Sequence, residues 1–208
     1  MKRRKGEKIT MKKSLVVSII ALVALNLSSV SAFAASPLET IKPQVDRALE
    51  VLRDPALKAE SAKAAKEKKI WAILDSVFDY TELSKRTLAQ NWKKLSPDQQ
   101  KEFISLFGKL LGTVYMDRII AYKDEKVVFG KVTQISDKSA EVQSEVVQSS
   151  KSIPIHYRMI LLNGEWKVYD VVIEGVSLVQ NYRTQFREIL TNKTPEDLLK
   201  TLREKTRK

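Results

Sequence analysis

The stretch that decides the fold runs from residue 153 to residue 174 and reads IPIHYRMILLNGEWKVYDVVIE. Apolar and polar residues alternate on both sides of Asn163-Gly164, the dipeptide that most strongly favours a two-residue hairpin turn. Such a turn fixes the register, because Leu162 then faces Glu165 and Leu161 faces Trp166. The segment therefore predicts two antiparallel strands joined by a tight turn.

Extending this register predicts a largely apolar face on the hairpin. It pairs Met159 with Val168, Tyr157 with Asp170 and Ile155 with Val172. The apolar face then holds Ile153, Ile155, Tyr157, Met159, Leu161, Trp166, Val168 and Val172. The other face holds His156, Arg158, Lys167 and Tyr169 and is expected to be partly solvated.

Asp170 is the charged residue that this register places on the apolar face. One interpretation is a structural hydrogen bond to Tyr157 or to a helix N-terminus, since buried carboxylates usually have such partners. The other is a polar contact inside a ligand cavity, and the sequence favours the structural interpretation.

Period-two alternation also occurs upstream, from Lys126 to Thr133 and from Ala140 to Val146. It predicts two further antiparallel strands, so that strands occupy residues 126–174. Helical patterns fill residues 37–121 and 177–203, with Ser96, Ser177 and Thr194 as N-caps. This segregation predicts an α+β fold, with a helical layer on an antiparallel sheet of four strands or slightly more.

Three helical segments carry finer expectations. Asp54-Pro55 is expected to start a new helix, and the Lys-rich residues 56–69 fit a solvated helix better than a binding patch. Asp79 is expected to cap a helix through Gln90. Gly108 and Gly112, four residues apart in one helix, would let another group approach its backbone closely.

The N-terminus has the pattern of an export signal. Seven basic residues between Lys2 and Lys13 precede an apolar run, Leu15–Leu27, which is too short to span roughly 30 Å of hydrocarbon. Ser31-Ala32-Phe33-Ala34 supplies a small-residue cleavage pattern, so residues 1–34 are expected to be a cleaved signal peptide and residues 35–208 a single domain. An uncleaved anchor is the less favoured alternative.

The net charge is also divided between the expected signal peptide and the rest of the chain. The chain has a net charge of +12, and the residues after Ala34 account for only +6 of it. Export also removes the chain from nucleic acid. The remaining positive charge, concentrated in residues 56–69 and 198–208, is expected to help docking on acidic partners or anionic lipid surfaces.

Little in the sequence supports catalysis. With no Cys and one His, the chain lacks thiol nucleophiles, Cys-ligated metals and multi-His sites. There is no phosphate-binding glycine loop, and Ser177 fits a helix cap better than a nucleophile. Carboxylate pairs for glycoside hydrolysis stay open, but no motif recommends one, so we expect a protein that is not an enzyme and carries no cofactor or metal.

Three segments resemble the MlaC family of periplasmic phospholipid carriers: NWKKLSPDQQ at 91–100, EFISLF at 102–107 and WKVYDVVIEGVSLVQNYRTQF at 166–186. The resemblance implies an NTF2-like fold, with helices over a curved sheet that enclose an apolar cavity. It implies a monomeric periplasmic shuttle that maintains outer-membrane lipid asymmetry. Its expected partners are phospholipid as cargo, an inner-membrane MCE-ring ABC transporter and an outer-membrane lipoprotein–porin complex.

The resemblance also suggests which apolar residues contact acyl chains. The candidates are Phe103, Phe107, Leu110, Leu111, Val114, Tyr115, Tyr157, Met159, Trp166, Val168, Val172, Tyr182 and Phe186. Periodicity alone does not separate a cavity wall from an ordinary core. An envelope scaffold or interaction protein that uses these residues only as core is therefore the alternative.

Overall fold

Helices precede and follow a run of strands, in the order that the sequence predicts. The computed structural model describes residues 35–122, 125–147 and 151–207, so the expected signal peptide lies outside the described residues. The helices are α1 (Pro37–Arg53), α2 (Lys63–Val77), α3 (Tyr80–Leu88), α4 (Pro97–Ile120), α5 (Leu178–Asn192) and α6 (Pro195–Lys205). The strands are β1 (Lys126–Ser136), β2 (Ser139–Val147), β3 (Ser152–Leu162), β4 (Glu165–Ile173) and β5 (Val176–Ser177).

The strands form one antiparallel sheet in the order β1-β2-β3-β4-β5. The predicted α+β class, with helices on a curved antiparallel sheet, is confirmed. The sheet has five strands, within the predicted four or slightly more, and the fifth is short: Val176 and Ser177 pair with the end of β4. Within the described residues, no helix is both long enough and apolar enough to cross a bilayer.

The predicted hairpin register is confirmed near the turn and wrong beyond it. Met159 pairs with Val168 as expected, but Arg158 then pairs with Asp170, so Tyr169 is an extra residue on β4. This β-bulge shifts the remaining pairs by one and sends Tyr169 and Asp170 to the same face of the sheet. The expectation that Asp170 lies on the apolar face is therefore wrong.

The bulge also changes which residues share a face near the end of β4. Tyr157 pairs with Val171 and Ile155 with Ile173, whereas Val172 pairs with His156. Val171 and Ile173 therefore lie on the apolar face in place of Val172. We call this apolar face the inner face and the opposite one the outer face.

Helix caps follow the sequence closely. Ser96 and Thr194 each form a capping box with the residue three positions later, and Ser177 and Asp79 accept hydrogen bonds from the first turns of their helices. These side chains satisfy backbone N–H groups that have no partner inside the helix. The helix starts are therefore set by local chemistry.

Two expected helix boundaries are wrong. Asp54 caps only a 3-10 turn, Pro55–Leu57, and after a second turn, Glu60–Ala62, the α-helix begins at Lys63. The helix after Asp79 ends at Leu88, where the following Ala89 has a φ of 50°, and a 3-10 segment continues to Lys94.

Buried apolar side chains form two main clusters. The helical core joins α3, α4, α5 and α6 through Leu83, Leu88, Leu95, Phe103, Leu106, Phe107, Leu110, Val179, Tyr182, Phe186, Leu190, Leu198, Leu199 and Leu202. The sheet core joins the inner face to α1 and to the ends of α2 and α5 through Ile41, Val77, Ala140, Val142, Met159, Trp166, Val168, Val171 and Leu178.

The two cores meet along β4. Phe78 packs against both of them, and the backbone N–H of Asp79 donates to the carbonyl of Val168 at 2.9 Å. Tyr169 lies on the same strand, and the guanidinium of Arg86 on α3 is 4.0 Å from the centre of its ring, a close cation–π contact. The segment between α2 and α3 thus fixes the helical core to the sheet.

Both glycines of α4 lie under aromatic rings, as their spacing suggests. A Cβ at position 112 would overlap the indole ring of Trp71, whereas one at position 108 would touch the Tyr80 ring at 3.4 Å. Only Gly112 is therefore required by the close approach of α2 to α4.

We expect Gly112→Ala to destabilise the protein by about 1–3 kcal/mol, because the indole ring must move to admit the methyl group. Gly108→Ala is the matched control in the same helix. Its methyl group makes an ordinary contact, and alanine favours the helix by up to about 1 kcal/mol, so the control should be neutral or stabilising. Urea unfolding of the two variants measures both effects, and equal stabilities would contradict the proposed packing.

Candidate functional site

The inner face of the sheet is an apolar surface that belongs to the sheet core, separate from the helical core. At its centre, Ala140, Val142, Met159 and Val168 are fully buried. The N-terminal half of α1 packs on this face through Ile41, with Leu38 and Val45 beside it. One helix and one sheet face thus form the two walls of the candidate site.

Around this centre the same face is only partly covered. The half-buried side chains that surround the sheet core are Leu38, Val45, Tyr115, Phe129, Val132, Ile155, Tyr157, Leu161 and Ile173. We call the partly covered surface formed by these residues the inner cleft. A single exposed apolar side chain is normal on a protein surface and needs no explanation. The inner cleft instead brings many apolar side chains together.

Tyr157 is a largely enclosed side chain of the inner face. Burial raises the pKa of its phenol, so protein surrounds the side chain closely. The side chain nevertheless keeps accessible surface, and its ring stacks on Phe129 with the centroids 6.5 Å apart. Tyr157 is therefore a largely enclosed residue at the margin of the sheet core.

Ser144 is the buried polar residue beside Tyr157 on the inner face. Its hydroxyl donates to the carbonyl of Ile155 at 2.8 Å, and a hydrogen bond with Tyr157 offsets part of the rise in that residue's pKa. Because the polar groups satisfy one another, the surface offered to a ligand here is mainly apolar.

Tyr115 and Tyr182 lie where the cleft meets the helical core. Tyr182 is a buried member of the helical core, whereas Tyr115 packs on the sheet core. Burial raises the pKa of Tyr182 to about 12, and the nearby Tyr115 contributes to the rise. Burial also raises the pKa of Tyr115, so both phenols are neutral over the physiological range.

The structure places eleven of the thirteen sequence-predicted candidates in or against one of the two cores. Tyr115, Tyr157, Met159, Trp166 and Val168 belong to the sheet core or pack against it, and of these five Tyr115 and Tyr157 are half-buried residues of the inner cleft. A second group packs within or against the helical core: Phe103, Phe107, Leu110, Leu111, Tyr182 and Phe186.

The aromatic members of the second group make dense mutual contacts. Phe107 lies 5.1 Å from Tyr182 and 5.3 Å from Phe186, both edge to face, and Phe103 lies 5.5 Å from Phe186. Rings at these distances stabilise one another and leave little room for a ligand. These positions fit an ordinary core better than a cavity wall.

Two candidates fall outside both groups. Val114 is 42% exposed, and Val172 lies on the outer face because of the bulge in β4. Placing Val172 on the apolar face was therefore wrong, since simple alternation does not account for the extra residue at Tyr169.

Sequence reasoning missed most of the cleft's other lining residues. Leu38, Ile41 and Val45 form the apolar stripe that marks α1 as amphipathic, and Phe129 and Ile155 belong to the alternating patterns of β1 and β3. Both signals are visible in the sequence. Neither signal shows that the apolar residues of α1 pack on the sheet, because this packing depends on contacts between residues far apart in the sequence.

A polar network occupies the outer face opposite the cleft. Asp170, only 1% exposed, accepts hydrogen bonds from Ser177 Oγ at 2.6 Å, from Val179 N at 3.0 Å and from Arg158 Nη1 at 3.2 Å. The helix N-terminus that we expected as one partner of Asp170 is thus confirmed, and Arg158 takes the place of Tyr157. The network ties α5 to the sheet.

The residues considered for catalysis have structural roles. Ser177 binds Asp170 and caps α5, as predicted, while His156 Nδ1 lies 3.4 Å from Glu141 on β2. Within the described residues, no group of three or more His, Cys, Asp or Glu side chains is arranged to hold a metal ion.

Comparison with known proteins gives a consistent result. The model of the family described as MlaC protein matches residues 42–204. The chain is 26% identical over 132 residues to the toluene tolerance protein ttg2D of Pseudomonas putida. It is 27% identical over 101 residues to the intermembrane phospholipid transport system binding protein MlaC of Haemophilus influenzae.

These alignments cover part of each protein. They span 62% and 46% of this chain and 61% and 47% of the two relatives. Among solved structures, a phospholipid-binding protein from Ralstonia solanacearum in complex with a phospholipid matches with a TM-score of 0.73. The match covers 83% of this chain and 97% of the other at 23% identity, which supports the shared fold.

Replacing Asp170 tests the outer-face network. We expect Asp170→Ala to lower the free energy of unfolding by about 2–4 kcal/mol, because it leaves Ser177 Oγ and the Val179 N–H without their buried acceptor, while Arg158 keeps its bond to Glu141. Asp46→Ala is the control, since its ion pair with Lys42 is exposed and should contribute less than about 1 kcal/mol. Comparable losses in the two variants, measured by denaturant unfolding, would contradict this role of Asp170.

Proposed function

Because the chain belongs to the MlaC family, we propose that it is a phospholipid-binding carrier that holds acyl chains in the inner cleft and moves lipid between membranes. The observation that carries the proposal is the inner cleft itself, an apolar surface that α1 covers incompletely. The name of the Haemophilus influenzae relative, and the phospholipid bound by the Ralstonia solanacearum protein, support the choice of ligand.

The physical reason for such a cleft is the cost of exposing acyl chains to water. Each exposed methylene costs about 0.8 kcal/mol, so a chain of roughly sixteen carbons costs on the order of 12 kcal/mol. A carrier that crosses an aqueous space must therefore cover the tails almost completely. The charged head group has no such need and can stay in water at the mouth of the cleft.

The place of action follows from the sequence and the family together. We infer that residues 1–34 direct export and are removed after Ala34, so that the carrier acts in the periplasm. Its exchange partners would be an inner-membrane ABC transporter with an MCE ring and an outer-membrane lipoprotein–porin complex. In this role it would help to maintain the lipid asymmetry of the outer membrane.

The carrier needs no chemistry of its own. Lipid enters and leaves by binding, and the inner cleft offers apolar side chains and neutral phenols instead of a nucleophile and its base. An envelope scaffold without a lipid ligand is less well supported, because it gives no reason for an apolar cleft that its own side chains leave partly uncovered.

Solvent extraction tests the proposal directly. We expect the purified protein to yield phospholipid, and the stripped protein to take up a fluorescent phospholipid from vesicles. A folded protein that contains no lipid and takes none up would refute the carrier role and favour the scaffold.

A matched pair of variants tests the location of the tails. Ile155→Trp should reduce lipid loading strongly, because the larger ring fills part of the inner cleft. Ile189→Trp makes the same change at a half-buried residue of the helical core and should leave loading near the wild-type level. Loading is measured as phosphate per protein, with circular dichroism to confirm folding. Equal loading of the two variants would place the tails elsewhere.

A further inference from the structure

The first part of α1, residues 37–42, covers the centre of the inner face. Ile41 is only 2% exposed, and the sheet residues Met159 and Val168 are fully buried in the same cluster. Helix and sheet are therefore in contact here. Acyl chains that reach the centre of the inner face must take the place of this contact, so this part of α1 has to move when lipid enters.

Residues 37–42 contact the sheet through apolar side chains. Their polar groups bond within the helix and its cap: Ser36 and Glu39 form a capping box, and Thr40 donates to the carbonyl of Ser36. Lys42 pairs with Asp46 at 2.7 Å, one turn along the same helix. Among the described residues, none of these side chains forms a hydrogen bond or an ion pair with another element. Moving this segment therefore breaks apolar contacts alone, which an acyl chain can replace.

The C-terminal end of α1 is fixed, in contrast. Leu52 is buried in a third apolar cluster, together with Met116 of α4. Arg53 Nη2 donates to the Tyr122 hydroxyl at 2.8 Å and to the carbonyl of Glu125 at 3.0 Å. One end of α1 is thus anchored by both buried and polar contacts, whereas the end over the inner face has only apolar ones.

Pro43 lies inside α1, between these two ends. Proline has no N–H, so the carbonyl of Glu39 lacks the hydrogen bond that it would accept from position 43, and the proline ring crowds the preceding turn. Sharp bends in helices occur mostly at such residues. The helix is therefore easiest to bend at the point where its loosely held segment joins its anchored part.

We propose that residues 37–42 of α1 form a lid that bends away from the sheet at Pro43 when the carrier binds phospholipid, while the anchored part of the helix stays in place. Lipid stabilises the open form because its acyl chains take over the apolar contacts that Ile41 makes in the closed form. This inference rests on the proposed function, since it describes how the inner cleft admits its ligand.

Distances between spin labels test the movement. The chain has no Cys, so two introduced thiols carry the only labels. Glu39→Cys places one label on the lid and Lys131→Cys places the other on β1, and both positions are exposed. The lid spans about 9 Å along the helix axis, so a bend that admits an acyl chain should lengthen this distance by about 3 Å or more on loading with phospholipid.

A label on the anchored part of α1 is the matched control. Glu50→Cys is the same substitution at an exposed position of that part, and its distance from the label at position 131 should not change on loading. Circular dichroism and phosphate per protein confirm that both labelled proteins fold and carry lipid.

Replacing Pro43 tests the position of the bend. Pro43→Ala supplies an N–H that can donate to the Glu39 carbonyl, so bending must then break a hydrogen bond. We expect this variant to take up a fluorescent phospholipid from vesicles about threefold or more slowly than the wild type. Pro195→Ala is the control, because Pro195 is the first residue of α6, where no bond within the helix is missing, and its uptake rate should equal that of the wild type.

The outcomes separate the lid from the carrier function. A loaded protein whose lid distance does not change would overturn the proposal, and so would equal changes at positions 39 and 50, which would mean that α1 moves as a whole. Uptake by Pro43→Ala at the rate of Pro195→Ala would also overturn it. A wild-type protein that takes up no phospholipid would refute the carrier function, and the lid with it.

Discussion

The structure depends on one apolar face of the sheet, the inner face, whose centre is covered by protein more completely than its margin. The centre of the inner face is fully buried, but α1 is a single helix, and the residues around that centre, such as Phe129 and Tyr157, stay partly uncovered. Leaving this surface open to water is costly, so a domain that keeps it needs something else to cover it. The acyl chain that we propose would satisfy that need, and it suits a surface of apolar side chains on which the polar groups of Ser144 and Tyr157 are hydrogen-bonded.

The rest of the fold keeps this face separate from the helical core. The aromatic rings of α4 and α5 pack against one another, and the buried contacts of Phe78 and the network around Asp170 fix those helices to β4 at the margin of the sheet. The protein thus has a core that stabilises the helices without filling the inner cleft. In this arrangement, the stability of the domain and its capacity for a ligand depend on different sets of side chains.

Local chemistry accounts for what the sequence could predict. The Asn163-Gly164 turn set the register as far as Met159, and the caps at Ser96, Ser177 and Thr194 set the helix starts. The errors arose where distant contacts decide. Tyr169 creates a bulge that alternation does not reveal, and Phe107 and Tyr157 have equally apolar patterns although one is core and the other lines the cleft. Family resemblance supplied the ligand, but only the packing of whole elements separates the two groups.

The tryptophans allow the central claim to be measured directly. Trp166 belongs to the sheet core, whereas Trp92 packs against the helical core. Variants that retain Trp166 or Trp92 as their single tryptophan, with Trp71 also replaced, are loaded with a phospholipid whose acyl chains are brominated, and quenching of their fluorescence is compared. Acyl chains in the inner cleft predict strong quenching of Trp166 and little quenching of Trp92. Equal quenching, or quenching of Trp92 alone, would contradict the account.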